Sequence, residues 1–296
     1  MIIMKLAGKA RRAACAALLA TAPIAGQAAE PVYGSLAALG EALFFDPNLS
    51  QNRTQSCATC HSPDAGFVDP RETDAGRAVS LGDDGRSLGG RNAPTAGYAA
   101  MTPPFHLTAD GKWQGGLFLD GRAATLEDQA GGPPLNPVEM GMPDRAAVVA
   151  RLRENPDYVA ALGALVAPDV FDDPDRAYAG MTAAIAAYER TPEFAPFDSK
   201  YDRYLRGEYQ LSPEEDLGRL LFFSQQFTNC NLCHQLKRSA VDPEESFTNY
   251  QYHNIGVPAN PALAGGPDRG LLDNPQVDDP AEAGKFKVPS LRNVAV

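Results

Sequence analysis

Two short stretches hold the residues best suited to chemistry. Cys57-Ala58-Thr59-Cys60-His61 reads C-A-T-C-H, and Cys230-Asn231-Leu232-Cys233-His234 reads C-N-L-C-H. Two thiols three positions apart can clamp zinc, cycle as a redox disulfide, or anchor a haem. Structural zinc takes four ligands, usually from two C-x-x-C pairs brought together, whereas here 169 residues separate the pairs and each has its own histidine. A thioredoxin-type dithiol expects a βαβ context, and none is visible nearby. C-x-x-C-H is the pattern of covalent c-type haem attachment. The thiols add to the two vinyl groups on one edge of the porphyrin, and the histidine next in the chain then lies beneath the ring centre. The pattern predicts two haem c groups, on Cys57, Cys60 and His61 and on Cys230, Cys233 and His234, with His61 and His234 as proximal iron ligands.

The N-terminus supports that assignment. Lys5, Lys9, Arg11 and Arg12 precede a short apolar run, Ala13 to Ala25, and small residues follow at Gly26-Gln27-Ala28. This predicts a cleaved signal peptide over residues 1–28 and a periplasmic protein. The run is well short of the roughly 20 apolar residues of a membrane span, so no stable membrane insertion is expected. Cleavage would remove Cys15, leaving the four cysteines of the two motifs. A formal charge of −11 disfavours nucleic acid and anionic membrane surfaces as partners.

The elements that must position these motifs repeat faintly. Leu39-Gly40-Glu41-Ala42-Leu43-Phe44-Phe45 precedes the first motif and Leu217-Gly218-Arg219-Leu220-Leu221-Phe222-Phe223 the second, each with apolar residues at helical spacing. Ala146 to Val166 and Ala177 to Arg190 favour helix, with Asp144 and Asp173 or Asp175 as N-terminal signals. Asp69 to Pro104 is rich in Gly, Pro and Asp and reads as a long loop. Thr191 to Pro196, with two prolines, reads as an interdomain hinge. The expected class is mainly α, with two tandem cytochrome c-like haem domains and long irregular loops. The boundaries are 29–190 for the N-terminal domain and 191–296 for the C-terminal one.

Few side chains remain to face iron. His106 and His253 are the other histidines; an isolated histidine is more often structural than a ligand. Met101, Met140, Met142 and Met181 are more often core filling. Gln129 and Glu139 bracket a Gly-Gly-Pro-Pro turn. A carboxylate beside an open iron can shuttle a proton between the two oxygens of peroxide, although Glu139 could equally make a surface ion pair.

The stretches LFFDPNLSQNRTQSCATCH, RNAPT, DGR, NPVEM with GMPDRAAVVARL, FDSKYDRYLRGE, YHNIG and FKVPSLRNVAV resemble the bacterial di-haem cytochrome c peroxidases, and most closely their MauG branch. The matching stretches run through nearly all of the chain after residue 28. The resemblance implies peroxide chemistry at the first haem, with Glu139 as acid/base group, Gln129 beside it and Pro133 in the pocket wall. It implies electron entry through the His234 haem from a c-type cytochrome or cupredoxin, and a calcium ion involving Asn92. No histidine lies between His61 and His106, which by the resemblance predicts an open first haem. Its alternative activity is oxidation of tryptophans in a methylamine dehydrogenase precursor to form tryptophan tryptophylquinone. Family tryptophans are replaced here by Leu119, before DGR, and Thr228, before the second motif, and both changes weaken that alternative. A non-enzymatic di-haem electron carrier is a third reading. The resemblance also implies that the second haem's distal ligand would lie beyond Val296, as though the C-terminal domain were truncated.

Overall fold

The structure, a computed structural model, describes residues 32–237, 241, 243–263 and 266–295. The expected signal peptide lies outside the described residues. Eight α-helices are present among these: α1 (Leu36–Phe44), α2 (Cys57–Cys60), α3 (Leu126–Ala130), α4 (Arg145–Arg153), α5 (Pro156–Leu165), α6 (Pro174–Glu189), α7 (Lys200–Leu205) and α8 (Pro213–Phe222). The described strands are two residues each: β1 (His106–Leu107) pairs antiparallel with β2 (Trp113–Gln114), and β3 (Tyr252–His253) with β4 (Phe286–Lys287). The mainly α expectation holds.

Local chemistry sets the helix ends. The Asp144 carboxylate accepts from Ala147 N at 2.8 Å and starts α4. Asp173 caps α6 by accepting from Asp175 N at 2.9 Å, with Pro174 at the first helical position. The expected run from Ala146 to Val166 is two helices, not one. Pro156 cannot donate within a helix, and Asn155 instead caps a new start by accepting from Asp157 N at 3.0 Å.

Helices α1, α4, α5 and α6 enclose the core. Leu39, Leu43 and Phe44 of α1 are fully buried with Met181 and Ile185 of α6. Gly40 permits the close approach: a Cβ there would fall 1.9 Å from the Ala184 carbonyl oxygen. The described residues belong to one compact unit. The proline-rich segment read as a hinge is anchored in it, because Phe194 is 1% exposed and stacks on Phe67 at 4.2 Å. Helix α8 is packed differently. It buries none of its residues, and Leu217 and Leu220 are 57% and 53% exposed.

Candidate haem sites and proton-transfer pocket

Each C-x-x-C-H motif forms a single helical turn. His61 N donates to Cys57 O at 2.9 Å, and His234 N donates to Cys230 O at 2.9 Å. The turn brings both thiols and the histidine together. Burial pushes the Cys57 thiol up to about 12, with Glu189 and Cys60 adding to the shift. A free thiol so shifted carries little of the thiolate that a redox nucleophile needs. Among the described residues no group of three or more His, Cys, Asp and Glu is placed to hold a metal ion.

The two histidines are held in the same way. The His61 ring nitrogen Nδ1 lies 3.1 Å from the Phe67 carbonyl oxygen, and His234 Nδ1 lies 3.3 Å from that of Phe247. A carbonyl only accepts, so Nδ1 carries the proton and Nε2 keeps the lone pair a metal needs. Both phenylalanines are left-handed, at φ 61° and 53°. Each carbonyl accepts a second bond, from Ala96 N at 3.1 Å and Leu291 N at 3.4 Å. The hydroxyls of Thr95 and Ser290 donate to the carbonyls one residue before each phenylalanine, Gly66 at 2.6 Å and Ser246 at 2.8 Å. Three residues further on, Tyr98 and Asn293 are both left-handed. This correspondence between Gly66-Phe67 with Pro94-Thr95 and Ser246-Phe247 with Pro289-Ser290 extends the repeat beyond what sequence reasoning found. The available signal was a Pro-Thr and a Pro-Ser pair downstream of each motif.

These residues fit c-type haem. Each motif presents two thiols and an imidazole whose Nδ1 is already engaged. Around the second motif, α8 offers an uncovered apolar face, and a groove of about 340 Å³ is lined by Tyr201, Phe222, Phe223 and Phe247. An apolar porphyrin face suits such a surface.

Glu139 sits above a scaffold of backbone bonds. Its N donates to Asn136 O at 3.0 Å, and its carbonyl accepts from Asp83 N at 2.8 Å. Its carboxylate accepts from Asn136 Nδ2 at 2.8 Å. Burial raises its pKa, and the Asn136 bond and the Arg122 charge reverse that only in part. Asp83, which donates to the Glu139 carbonyl, also accepts from Thr54 N at 3.2 Å, three residues before the first motif. The surface ion-pair reading of Glu139 is therefore not what the structure shows. Gln129 is half-buried on α3, and Pro133 begins the short 3-10 turn between α3 and Glu139.

The remaining candidates separate. Met140, Met142 and Met181 are core residues, and Met101 is exposed. His106 is exposed, with Nδ1 2.8 Å from Pro104 O. His253 is half-buried, and its Nε2 has no hydrogen-bond partner. Asn92 is exposed. The carboxylates bound to its neighbour Arg91, those of Asp120, Asp268 and Asp273, are already engaged in ion pairs.

Comparison with known proteins agrees with this geometry. The family model for di-haem cytochrome c peroxidase matches residues 35–210. The methylamine utilization protein MauG of Paracoccus denitrificans is 55% identical over 96% of this chain and 76% of its own. The cytochrome c peroxidase Ccp of Escherichia coli is 38% identical over 69% of this chain and 38% of its own. The crystal structure of the diheme peroxidase BthA from Burkholderia thailandensis superposes with a TM-score of 0.82 at 36% identity, covering 89% of this chain and 67% of that one. The chain thus spans about three quarters of the Paracoccus relative and well under half of the Escherichia coli one. It belongs to the di-haem cytochrome c peroxidase family of oxidoreductases, the family that includes MauG.

Proposed function

We propose that the chain is a periplasmic di-haem peroxidase of the MauG branch, with two tandem haem modules divided near residue 190. Hydrogen peroxide is cleaved at the first site, and electrons enter through the second from a small redox protein. The observation that carries this reading is the Glu139 carboxylate, half-buried, oriented by Asn136 Nδ2 at 2.8 Å, and tied through Asp83, whose N donates to the Glu139 carbonyl at 2.8 Å, to Thr54 three residues before the first C-x-x-C-H motif. The matched bonding of His61 and His234 supports the two-module division. The export-type segment over residues 1–28 supports the periplasm. No helix of the described residues is long and apolar enough to cross a membrane.

Haem would be held by Cys57, Cys60 and His61 and by Cys230, Cys233 and His234, and would supply the redox iron that peroxide reduction requires. The chain's own residues manage protons and position. A carboxylate at Glu139 Oε2 takes the proton from one peroxide oxygen and returns it to the other as that oxygen leaves as water. Asn136 Nδ2, 2.8 Å from Oε1, keeps the group oriented so that Oε2 is the atom left to accept. Gln129 and Pro133 wall the pocket. By the family resemblance, the lack of a histidine between His61 and His106 supports an open first site.

A second reading, oxidation of a methylamine dehydrogenase precursor, is favoured by the 55% identity to a MauG protein. Leu119 and Thr228 speak against it. The deciding experiment is stopped-flow mixing of the haem-loaded chain with one equivalent of peroxide in the presence of reduced cytochrome c. Rapid Soret change followed by cytochrome oxidation supports the peroxidase. An oxidised state that ignores the cytochrome but is discharged by the precursor supports the second reading. In Glu139→Gln the haems still load, and the peroxide reaction slows by roughly 10²–10⁴-fold. An unchanged rate removes Glu139 from the mechanism.

A further inference from the structure

The two modules are matched around their histidines but not in charge. In the first, Ala65 stands two residues before Phe67; in the second, Glu245 stands two residues before Phe247. Glu245 is 2% exposed. Its Oε1 accepts from Leu236 N at 2.9 Å and from Phe247 N at 3.0 Å, and its Oε2 accepts from Lys237 N at 2.9 Å. The Ser246 hydroxyl lies 3.5 Å from Oε1. Every one of these partners is a donor, which suits an ionised carboxylate, a group that only accepts. One side chain thus ties the backbone just after His234 to Phe247, whose carbonyl oxygen lies 3.3 Å from His234 Nδ1.

The groups bonded to this carboxylate among the described residues are uncharged. Arg292 approaches, with Nε and Nη2 on the Glu245 carbonyl at 2.8 and 2.6 Å, but it has its own counter-ion in Asp202 at 2.6 Å. The Lys237 ammonium is turned onto the Pro243 carbonyl. Arg292 and Asp202 cancel, and Glu245 leaves one net negative charge out of water beside the second histidine. In the first module the matching position is an alanine, and the next carboxylate after it along the chain, Asp69, is paired with Arg71 at 2.6 Å. A fixed negative charge in a low-dielectric setting favours the more positive of two states. For an iron bound to His234 that is the ferric state, and nearby charge, burial and the hydrogen bonding of the ligand are the levers a protein has on its potential.

We propose that Glu245 sets the reduction potential of the second site, holding it below what the histidine environment shared with the first module would give; this rests on the two-haem reading above. The step it acts on is one electron. Ferric iron at His234 takes an electron from the small redox protein and becomes ferrous, then gives it up when the first site draws on it. The carboxylate has no part in the transfer itself, so no proton moves with the electron. A lowered potential at the second iron favours passing the electron on. Glu245 acts through its charge and through Phe247, and is a positioning residue.

The haem-loaded full chain is titrated at a transparent electrode, and its two one-electron steps are followed by the Soret and α bands. Carbon monoxide, which binds an open ferrous haem, marks the first-site step. In Glu245→Gln the second-site equilibrium shifts toward ferrous iron by about tenfold, or about 59 mV for a one-electron couple, and the first-site step stays. Glu245→Asp keeps the charge while shortening the clamp, and titrates near wild type. Asp202→Asn leaves the Arg292 charge uncompensated with Glu245 untouched, and moves the second-site step the same way. Two unmoved steps in Glu245→Gln overturn the proposal. An equal shift in Glu245→Asp also overturns it, because the residue is then a clamp and no more. An unmoved second step in Asp202→Asn overturns it even where Glu245→Gln does not load. Absence of a carbon monoxide complex removes the open first site from the proposed function, and the Glu245 result is then read from whether one step moves alone. Uptake of fewer than two haems by mass removes the two-haem reading and this proposal with it.

Discussion

Asp202→Asn tests what holds the second histidine in place. The Arg292 and Asp202 side chains are 3% and 4% exposed. Arg292 Nη1 donates to Asp202 Oδ2 at 2.6 Å and Nη2 to Oδ1 at 3.0 Å, while Nε and Nη2 donate to Glu245 O at 2.8 and 2.6 Å. The guanidinium carbon lies 5.1, 4.8 and 5.0 Å from the ring centres of Tyr98, Phe197 and Phe247. The Phe247 carbonyl is the one that fixes His234. Asparagine keeps the shape but leaves a buried guanidinium without its counter-charge, at a cost of about 3–5 kcal/mol. For a chain of this order that lowers Tm by about 6–20 °C. Thermal unfolding of the haem-loaded chain by circular dichroism measures it. Replacing both partners, Asp202→Asn with Arg292→Met, removes the uncompensated charge and recovers part of the loss.

The pH dependence of that difference is a second check. Burial alone raises the Asp202 pKa, but the hydrogen bonds from Arg292 and Ser199 and the Arg292 charge outweigh it, and the net shift is downward. A depressed folded pKa contributes stability above the unfolded value, about 3.9, and that contribution is lost as pH falls through the folded pKa. The gap between wild type and Asp202→Asn is therefore widest near neutrality and closes in acid. A Tm drop under about 2 °C, well below the range expected for a broken buried pair, or a gap that does not depend on pH, would refute the assignment.

Three further outcomes are expected. The peroxide rate constant rises with pH along a limb displaced above the ordinary glutamate value of about 4.3, because burial raises the Glu139 pKa and the base form is the active one; stopped-flow rates across pH show this limb absent in Glu139→Gln. Asp83→Ala strips the acceptor from Asn52 N at 2.6 Å and Thr54 Oγ1 at 2.6 Å and loosens the loop under Glu139, costing about 1–3 kcal/mol in urea unfolding; an unchanged midpoint would mean water replaces the carboxylate without loss. Gly40→Ala drives a methyl into the Ala184 carbonyl and costs about 1–3 kcal/mol or more; a thermal midpoint equal to wild type would show that α1 and α6 separate freely.

The sequence by itself pointed to the cofactor chemistry proposed for Cys57, Cys60, His61, Cys230, Cys233 and His234. Covalent attachment is local: five consecutive residues hold both thiols and the imidazole, and one helical turn brings them together. Helix starts at Asp144 and Asp173 were legible for the same reason, since a cap and its backbone partners lie within three residues. What the tertiary structure decided spans longer separations. Phe67 and Phe247 reach their histidines across 6 and 13 residues, and Thr95 and Ser290 reach back across 29 and 44. Burial of Glu139, closure of Arg292 on Asp202 across 90 residues, and the stack of Trp113 on Phe105 beside Gly121 have no local pattern. Each depends on segments meeting in space, where water is excluded and a charge or ring acquires its neighbours.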